Sequence, residues 1–203
     1  MSPHVVVLDY GSGNIRSAHR ALERAGATVT VTADRDAAVS ADGLVIPGVG
    51  AYAACMAGLE AVDARTVVAE RLAAAAPVLG ICVGMQVLFD SGVEHGEPTP
   101  GMGLVGGSVT PIAADVVPHM GWNTVAAGNG SRLFDGLSAD TRFYFVHSYA
   151  AHTAAAEVVT TTTYGETFVS AVESGVLAAT QFHPEKSGDA GAHLLENWVK
   201  GLS

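Results

Sequence analysis

The stretch PVLGICVGMQVLF, Pro77 to Phe89, decides the fold. Val78–Ile81 is a short, wholly apolar run, the pattern of a strand buried on both faces. Pro77 ends the helical pattern before it. Met85–Phe89 reads as helix. Between the two runs, Gly80-Ile81-Cys82-Val83-Gly84 sets a thiol on a strand-to-helix turn, with glycine two residues away on each side. A residue on so sharp a turn is strained, and side chains two positions away would crowd it. Glycine at both places removes those clashes. The form is the nucleophile elbow G-x-S-x-G with sulfur in place of oxygen. Such a turn presents its side chain at the carboxyl edge of a sheet, where open α/β folds bind ligands. The helix start favours a thiolate over a thiol, and the Val83 N–H is a candidate oxyanion donor. A buried structural thiol is the competing reading of Cys82 taken alone. Cys55, inside an Ala/Met/Leu helical pattern, reads as packing only.

Outward from this turn, the first half alternates strands and helices. Val5–Leu8, Thr28–Thr32 and Leu44–Pro47 read as strands. Ile15–Ala25, Ala51–Glu60 and Asp63–Ala76 read as helices, with Gly26 suited to a helix C-terminus. This spacing predicts βαβ units and a parallel sheet covered by helices on both faces. The second half holds short runs (SVTPI, RFYFVHSY, EVVTTTTY, TFVSAVES, VLAATQFHP) that read as antiparallel or mixed strands added to that sheet. Asp189–Leu202 reads as a closing helix. The expectation is one α/β domain over residues 1–203.

Composition narrows the function classes. The 203 residues are 49% hydrophobic, enough for a well-buried core. The formal net charge is -10, with 10 Lys+Arg against 20 Asp+Glu, and nothing basic clusters. Nucleic acid and anionic membranes are therefore disfavoured as partners. With 2 cysteines, no signal-peptide pattern and no membrane-length apolar run, the chain reads as cytoplasmic with free thiols. No C-x-x-C, H-E-x-x-H or P-loop spacing appears, so neither a metal nor a cofactor is expected.

A nucleophilic thiol needs a base held by a third group. Of 8 histidines, His183 in TQFHPEKSG is the best placed, at the end of an apolar strand. Pro184 stiffens the backbone after it, and Glu185 is close enough to orient the ring. His147 ranks second, having no carboxylate near in sequence. His4, His19, His95, His119, His152 and His193 read as surface or packing residues. PGVG, Pro47–Gly50, follows a strand and can bring bare N–H groups to the same sheet edge as a second oxyanion donor.

On GICVGMQ at Cys82, HPE at His183–Glu185 and PGVG after an early strand, the chain resembles the class I glutamine amidotransferases, or triad glutaminases. DYGSGN (Asp9–Asn14) and PHMGWN (Pro118–Asn123) narrow the resemblance to members serving histidine biosynthesis. The similarity spans nearly the whole chain. It implies a flavodoxin-like α/β fold with extra antiparallel strands in the C-terminal half. It also implies hydrolysis of L-glutamine by a Cys82–His183–Glu185 triad. Val49, Gly50 and Val83 would bind the oxyanion. Gly48, Gln86, Glu94, Ser148 and Tyr149 would hold glutamine, with Glu97 the alternative to Glu94. Ammonia would enter a (β/α)8-barrel cyclase partner faced by Asn14, Trp122, Tyr144 and Lys186. Two other readings stand beside this one. The first is a glutaminase feeding GMP, anthranilate or pyridoxal phosphate synthesis. The second is a catalytically silent α/β partner domain, which would have no reason to keep Cys82, His183 and Glu185 together.

Overall fold

The computed structural model describes residues 2–94 and 96–202. His95, read above as a surface or packing histidine, lies outside the described residues. The first half runs β1 (His4–Leu8), α1 (Ile15–Arg24), β2 (Thr28–Thr32), α2 (Arg35–Ser40), β3 (Gly43–Gly48), α3 (Tyr52–Ala61), α4 (Ala64–Ala73), β4 (Val78–Cys82) and α5 (Val83–Gln86). The second half is strand-rich: β5 (Phe89–Glu94), β6 (Glu97–Pro100), β7 (Val105–Pro111), β8 (His119–Thr124), β9 (Arg142–His147), β10 (Tyr149–Ala151), β11 (Val158–Tyr164), β12 (Glu166–Ser174) and β13 (Leu177–Thr180). A 3-10 turn, Pro184–Lys186, then leads into α6 (Gly188–Lys200).

The central sheet has 7 strands in the order β11-β12-β13-β4-β3-β1-β2. From β2 to β13 every pairing is parallel. The sub-order β2-β1-β3-β4-β13 is the flavodoxin-like arrangement, with ligands expected outside the carboxyl ends of the strands. The apolar runs explain it. Val5–Leu8, Gly43–Gly48 and Val78–Cys82 are buried throughout, as parallel strands sandwiched by helices must be. Burying each large aliphatic side chain there contributes roughly 2 kcal/mol. The Thr/Val alternation of β2 suits its place at the edge, where it is half-exposed.

Three expectations need correction. The helix after the elbow does not extend over Met85–Phe89: α5 is the single turn Val83–Gln86, and Phe89 already begins β5. Val87 caps the turn and Leu88 continues it, and the aromatic Phe89, a residue type enriched in strands, opens β5. The second-half strands do not all join the main sheet. β5, β6, β7 and β10 form a separate 4-stranded sheet, and β8 pairs only with β9. β13 sits in the middle of the main sheet, parallel to β4, while only β11 and β12 add to it antiparallel. Helix α2 was not expected. It starts at Asp34, whose side chain accepts from the Ala37 N–H at 2.8 Å, an ordinary N-cap.

Candidate active site

Register aligns the strand ends. Gly48 pairs with Cys82, and Thr180 with Ile81, so β3, β4 and β13 finish together. Cys82 takes φ 58 and ψ −114, a backbone rarely tolerated outside glycine. What fixes it is close approach of backbone on both sides. A Cβ at Gly84 would stand 1.9 Å from the Ile46 carbonyl oxygen, and one at Gly80 2.6 Å from the Gly84 oxygen. A Cβ at Gly48 would stand 2.4 Å from the Gly84 nitrogen. The elbow is therefore wedged against β3, and none of the three glycines can be replaced without moving main chain. Cys82 is only 4% exposed, yet it opens onto a cavity of about 200 Å³. Val83, opening α5, has an N–H without an intrahelical acceptor.

His183 meets Cys82 from the end of β13. Its Nδ1 lies 2.7 Å from Glu185 Oε1, with both side chains 2% exposed. The carboxylate accepts from Nδ1–H, which leaves Nε2 for the sulfur. Burial pulls the imidazole down, but hydrogen bonds to Cys82 and Glu185, and the charges of both, outweigh it. His183 is pushed up to about 9. An imidazolium held between a sulfur and a carboxylate is the pairing a thiolate nucleophile needs. The turn is clamped by β9: the His183 N–H donates to the Tyr144 carbonyl at 2.9 Å, and the Tyr144 N–H to Ser187 Oγ at 2.9 Å. Ser187 Oγ donates back to the His183 carbonyl at 2.7 Å.

The cavity brings together Val49, Gly50, Cys82, Val83, Gln86, Glu94, Val146, His147, Ser148, Tyr149, His183 and Lys186. Of the pair of glutamates, Glu94 reaches it, accepting from the Tyr52 N–H at 2.8 Å, while Glu97 is exposed outside it. Gly48 is buried at the end of β3 and does not line the cavity, and Gly50 takes φ +85. The Val49 N–H is directed at Ser12 Oγ, 3.4 Å away. The Val49 carbonyl accepts from Ser12 Oγ at 2.7 Å and from Cys55 Sγ at 3.3 Å. Tyr10 donates to the Pro47 carbonyl at 2.5 Å. The DYGSGN loop thus ties down PGVG at three points.

Asn14 is half-buried and donates to Glu185 Oε1 at 3.4 Å; Oε2 of that carboxylate is buried without a partner. Trp122 is 54% exposed and meets Tyr144 edge-on, ring centroids 5.9 Å apart. Lys186 is exposed at the cavity mouth. Three residues escaped the sequence reading: Ser12 and Cys55 under the PGVG loop, and Gln181, whose amide donates to Cys82 Sγ at 3.9 Å. Only Gln181 left a signal, standing two residues before His183 at strand spacing. Among the described residues no His, Cys, Asp and Glu cluster fits a metal, and no helix is long and apolar enough to cross a membrane.

The chain matches the glutamine amidotransferase class-I family model over residues 6–202. It is 63% identical over 201 residues, 98% of each chain, to a Mycobacterium bovis protein named imidazole glycerol phosphate synthase subunit HisH. To the like-named Streptomyces avermitilis protein it is 59% identical over 207 residues, covering 98% of this chain and 96% of that one. Among solved structures it is similar to PurLQS from Thermotoga maritima, with TM-score 0.74 and 20% identity over 100% of both chains. It is also similar to a structure titled glutamine amidotransferase, with TM-score 0.72 and 18% identity over 97% and 98% of the two chains. At these identities the two structures speak for the fold.

Proposed function

Since the chain belongs to the class-I glutamine amidotransferases, we propose that it is the glutaminase subunit of an imidazole glycerol phosphate synthase, acting in histidine biosynthesis. The reaction is hydrolysis of L-glutamine to glutamate and ammonia. The whole chain serves as one glutaminase domain, working in the cytoplasm without a cofactor.

Each step falls to a residue at the cavity. The Cys82 sulfur attacks the side-chain amide carbon of glutamine, and negative charge moves to the amide oxygen. The Val83 N–H and the loop Val49–Gly50 stabilise that oxyanion. The C–N bond breaks as His183 passes its proton to departing ammonia, leaving a glutamyl thioester on Cys82. Water then attacks the thioester with His183 taking its proton, and the sulfur leaves as thiolate. Glu185 orients the ring and balances its charge. Gln86 and Glu94 hold the glutamine backbone end, Ser148 and Tyr149 make a strand-like contact to glutamine, and Gly48 completes the binding site from the PGVG loop. Ammonia passes to a (β/α)8-barrel cyclase docked on the face bearing Asn14, Trp122, Tyr144 and Lys186. That partner makes imidazole glycerol phosphate and aminoimidazole carboxamide ribotide.

The observation that carries this reading is the buried 2.7 Å contact between Glu185 and His183, with the ring turned to Cys82. The likeness to imidazole glycerol phosphate synthase subunits at about 60% identity favours this pathway over other triad glutaminases, and Tyr10, Ser12 and Asn14 of DYGSGN all touch the site. With the Val49 N–H engaged by Ser12, the chain alone turns over glutamine slowly, and the cyclase releases the loop. Adding a barrel cyclase should raise glutamine hydrolysis about 100-fold or more, the worth of one oxyanion donor. Fast turnover by the single chain, or no response to the cyclase, contradicts the proposal.

A further inference from the structure

Cys82 has a polar neighbour that the triad does not use. Gln181 is fully buried, and its Nε2 donates to the sulfur. Its Oε1 accepts from Gln86 Nε2 at 2.9 Å, and the same nitrogen donates to the Tyr149 carbonyl at 2.9 Å. That carbonyl also faces His147 Nδ1 at 2.9 Å. His147 Nε2 lies 3.1 Å from His119 Nδ1, and His119 Nε2 lies 3.4 Å from Asn123 Nδ2. An unbroken run of hydrogen bonds thus connects β8, which carries the exposed Trp122, with the sulfur.

The direction of every link is forced. A carbonyl only accepts, so His147 Nδ1 carries a proton and its Nε2 is bare. His119 Nδ1 must then donate, and its Nε2 must accept from the Asn123 amide. The Asn123 oxygen is already occupied by the Thr124 N–H at 2.9 Å. A proton added to either ring would set two N–H groups against each other. Burial agrees, pushing both rings down to about 4. His119 is gripped between the Phe145 and Tyr164 rings, with centroids 4.8 and 4.0 Å away. The pair is rigid, neutral and fully used, which a merely solvated histidine is not.

We infer that Gln181 is a positioning residue for the Cys82 nucleophile, and that the His119–His147 pair sets its aim through the Tyr149 carbonyl and Gln86. This rests on the glutaminase reading above. An amide N–H pointed at sulfur favours the anion and fixes the thiol rotamer, while a bare apolar wall would do neither.

The test uses the chain reconstituted with a barrel cyclase, scoring glutamine-dependent against ammonia-dependent synthesis so that loss of folded complex cancels. Gln181→Leu, with Gln181→Met as a second variant, should lower kcat for glutamine about 10-fold or more, with KM little changed, as loss of one charge-assisted hydrogen bond requires. His119→Phe keeps the ring stack and removes both nitrogens; it should lower kcat about 3-fold or more in the same manner. The double variant should be no worse than Gln181→Leu, because the two act in series. Alkylation of Cys82 by iodoacetamide in the free chain, followed by mass spectrometry, should slow in the same order. Wild-type kcat in either single variant, a rise in KM alone, or multiplying effects in the double variant would overturn the inference. A wild-type complex that hydrolyses no glutamine would instead defeat the functional reading, and the alkylation order would still decide on the relay.

Discussion

Replacing Gly84 by alanine tests how the elbow is built. The new Cβ would lie 1.9 Å from the Ile46 carbonyl oxygen, 2.9 Å from its carbon and 3.3 Å from the Pro47 carbonyl carbon. Ordinary contact for such a pair begins near 3.4 Å. All three atoms are main chain, so no side chain can rotate away, and β3 and α5 must part by about 1.5 Å, the shortfall of that worst contact. Overpacking a core costs about 1–3 kcal/mol where side chains can adjust, so about 3 kcal/mol is a reasonable expectation here. In urea that should move the unfolding midpoint down by more than about 1 M. Function should suffer more than stability. Gly48 and the oxyanion loop follow directly from the displaced strand, and a misplacement of about 1 Å costs about 100-fold in rate. The assay pairs urea unfolding of the chain with glutamine-dependent synthesis by the complex. Gly26→Ala is the control: φ is +99 there but nothing lies within 4 Å of a Cβ, so about 1 kcal/mol of backbone strain and full activity are expected. A Gly84→Ala chain with a wild-type midpoint and wild-type glutaminase would refute the close-approach argument.

Two further outcomes follow from the hydrogen-bond geometry. Ser12→Ala removes the acceptor of the Val49 N–H and the shorter donor to its carbonyl, so basal glutaminase of the chain alone should rise several-fold, by about the worth of one hydrogen bond; a fall or no change would contradict the restraint. His119 and His147 stay neutral in the folded chain down to about 4, whereas unfolded histidine takes up its proton near 6.5. Between those values the unfolded state binds more protons, so stability falls as pH falls, by at most about 3 kcal/mol per ring. Urea unfolding across this window should show a shallower decline for His119→Phe than for wild type, and equal slopes would count against the buried neutral pair.

Much of the architecture is legible in residue pattern. β2 runs over Thr28–Thr32 as expected, and Gly26 takes the left-handed φ that ends α1. The elbow is legible because glycine spacing reports on main-chain approach, which is local. Long-range pairing is not. Nothing in VLAAT says that β13 inserts beside β4, because an apolar run looks the same at the middle of either kind of sheet. Nothing in the sequence marks Arg71 as buried, with its guanidinium donating to carbonyls of Ala38, Val39, Ala41, Asp42 and Pro77. Ser12, Cys55 and Gln181 are hidden for the same reason. The partners of Ser12 and Gln181, Val49 and Cys82, are brought to them by topology, while Cys55 meets the Val49 carbonyl because α3 carries it back under the loop.

The most direct measurement is the rate of imidazole glycerol phosphate formation by the Cys82→Ala chain in complex with the cyclase, with glutamine and then with ammonium as nitrogen source. Glutamine-dependent formation should drop to background, since Cys82 is the group at the cavity that His183 and Glu185 are arranged to activate, while ammonium supports the wild-type rate. Glutamine-dependent formation that survives the loss of this sulfur would contradict the account at its root.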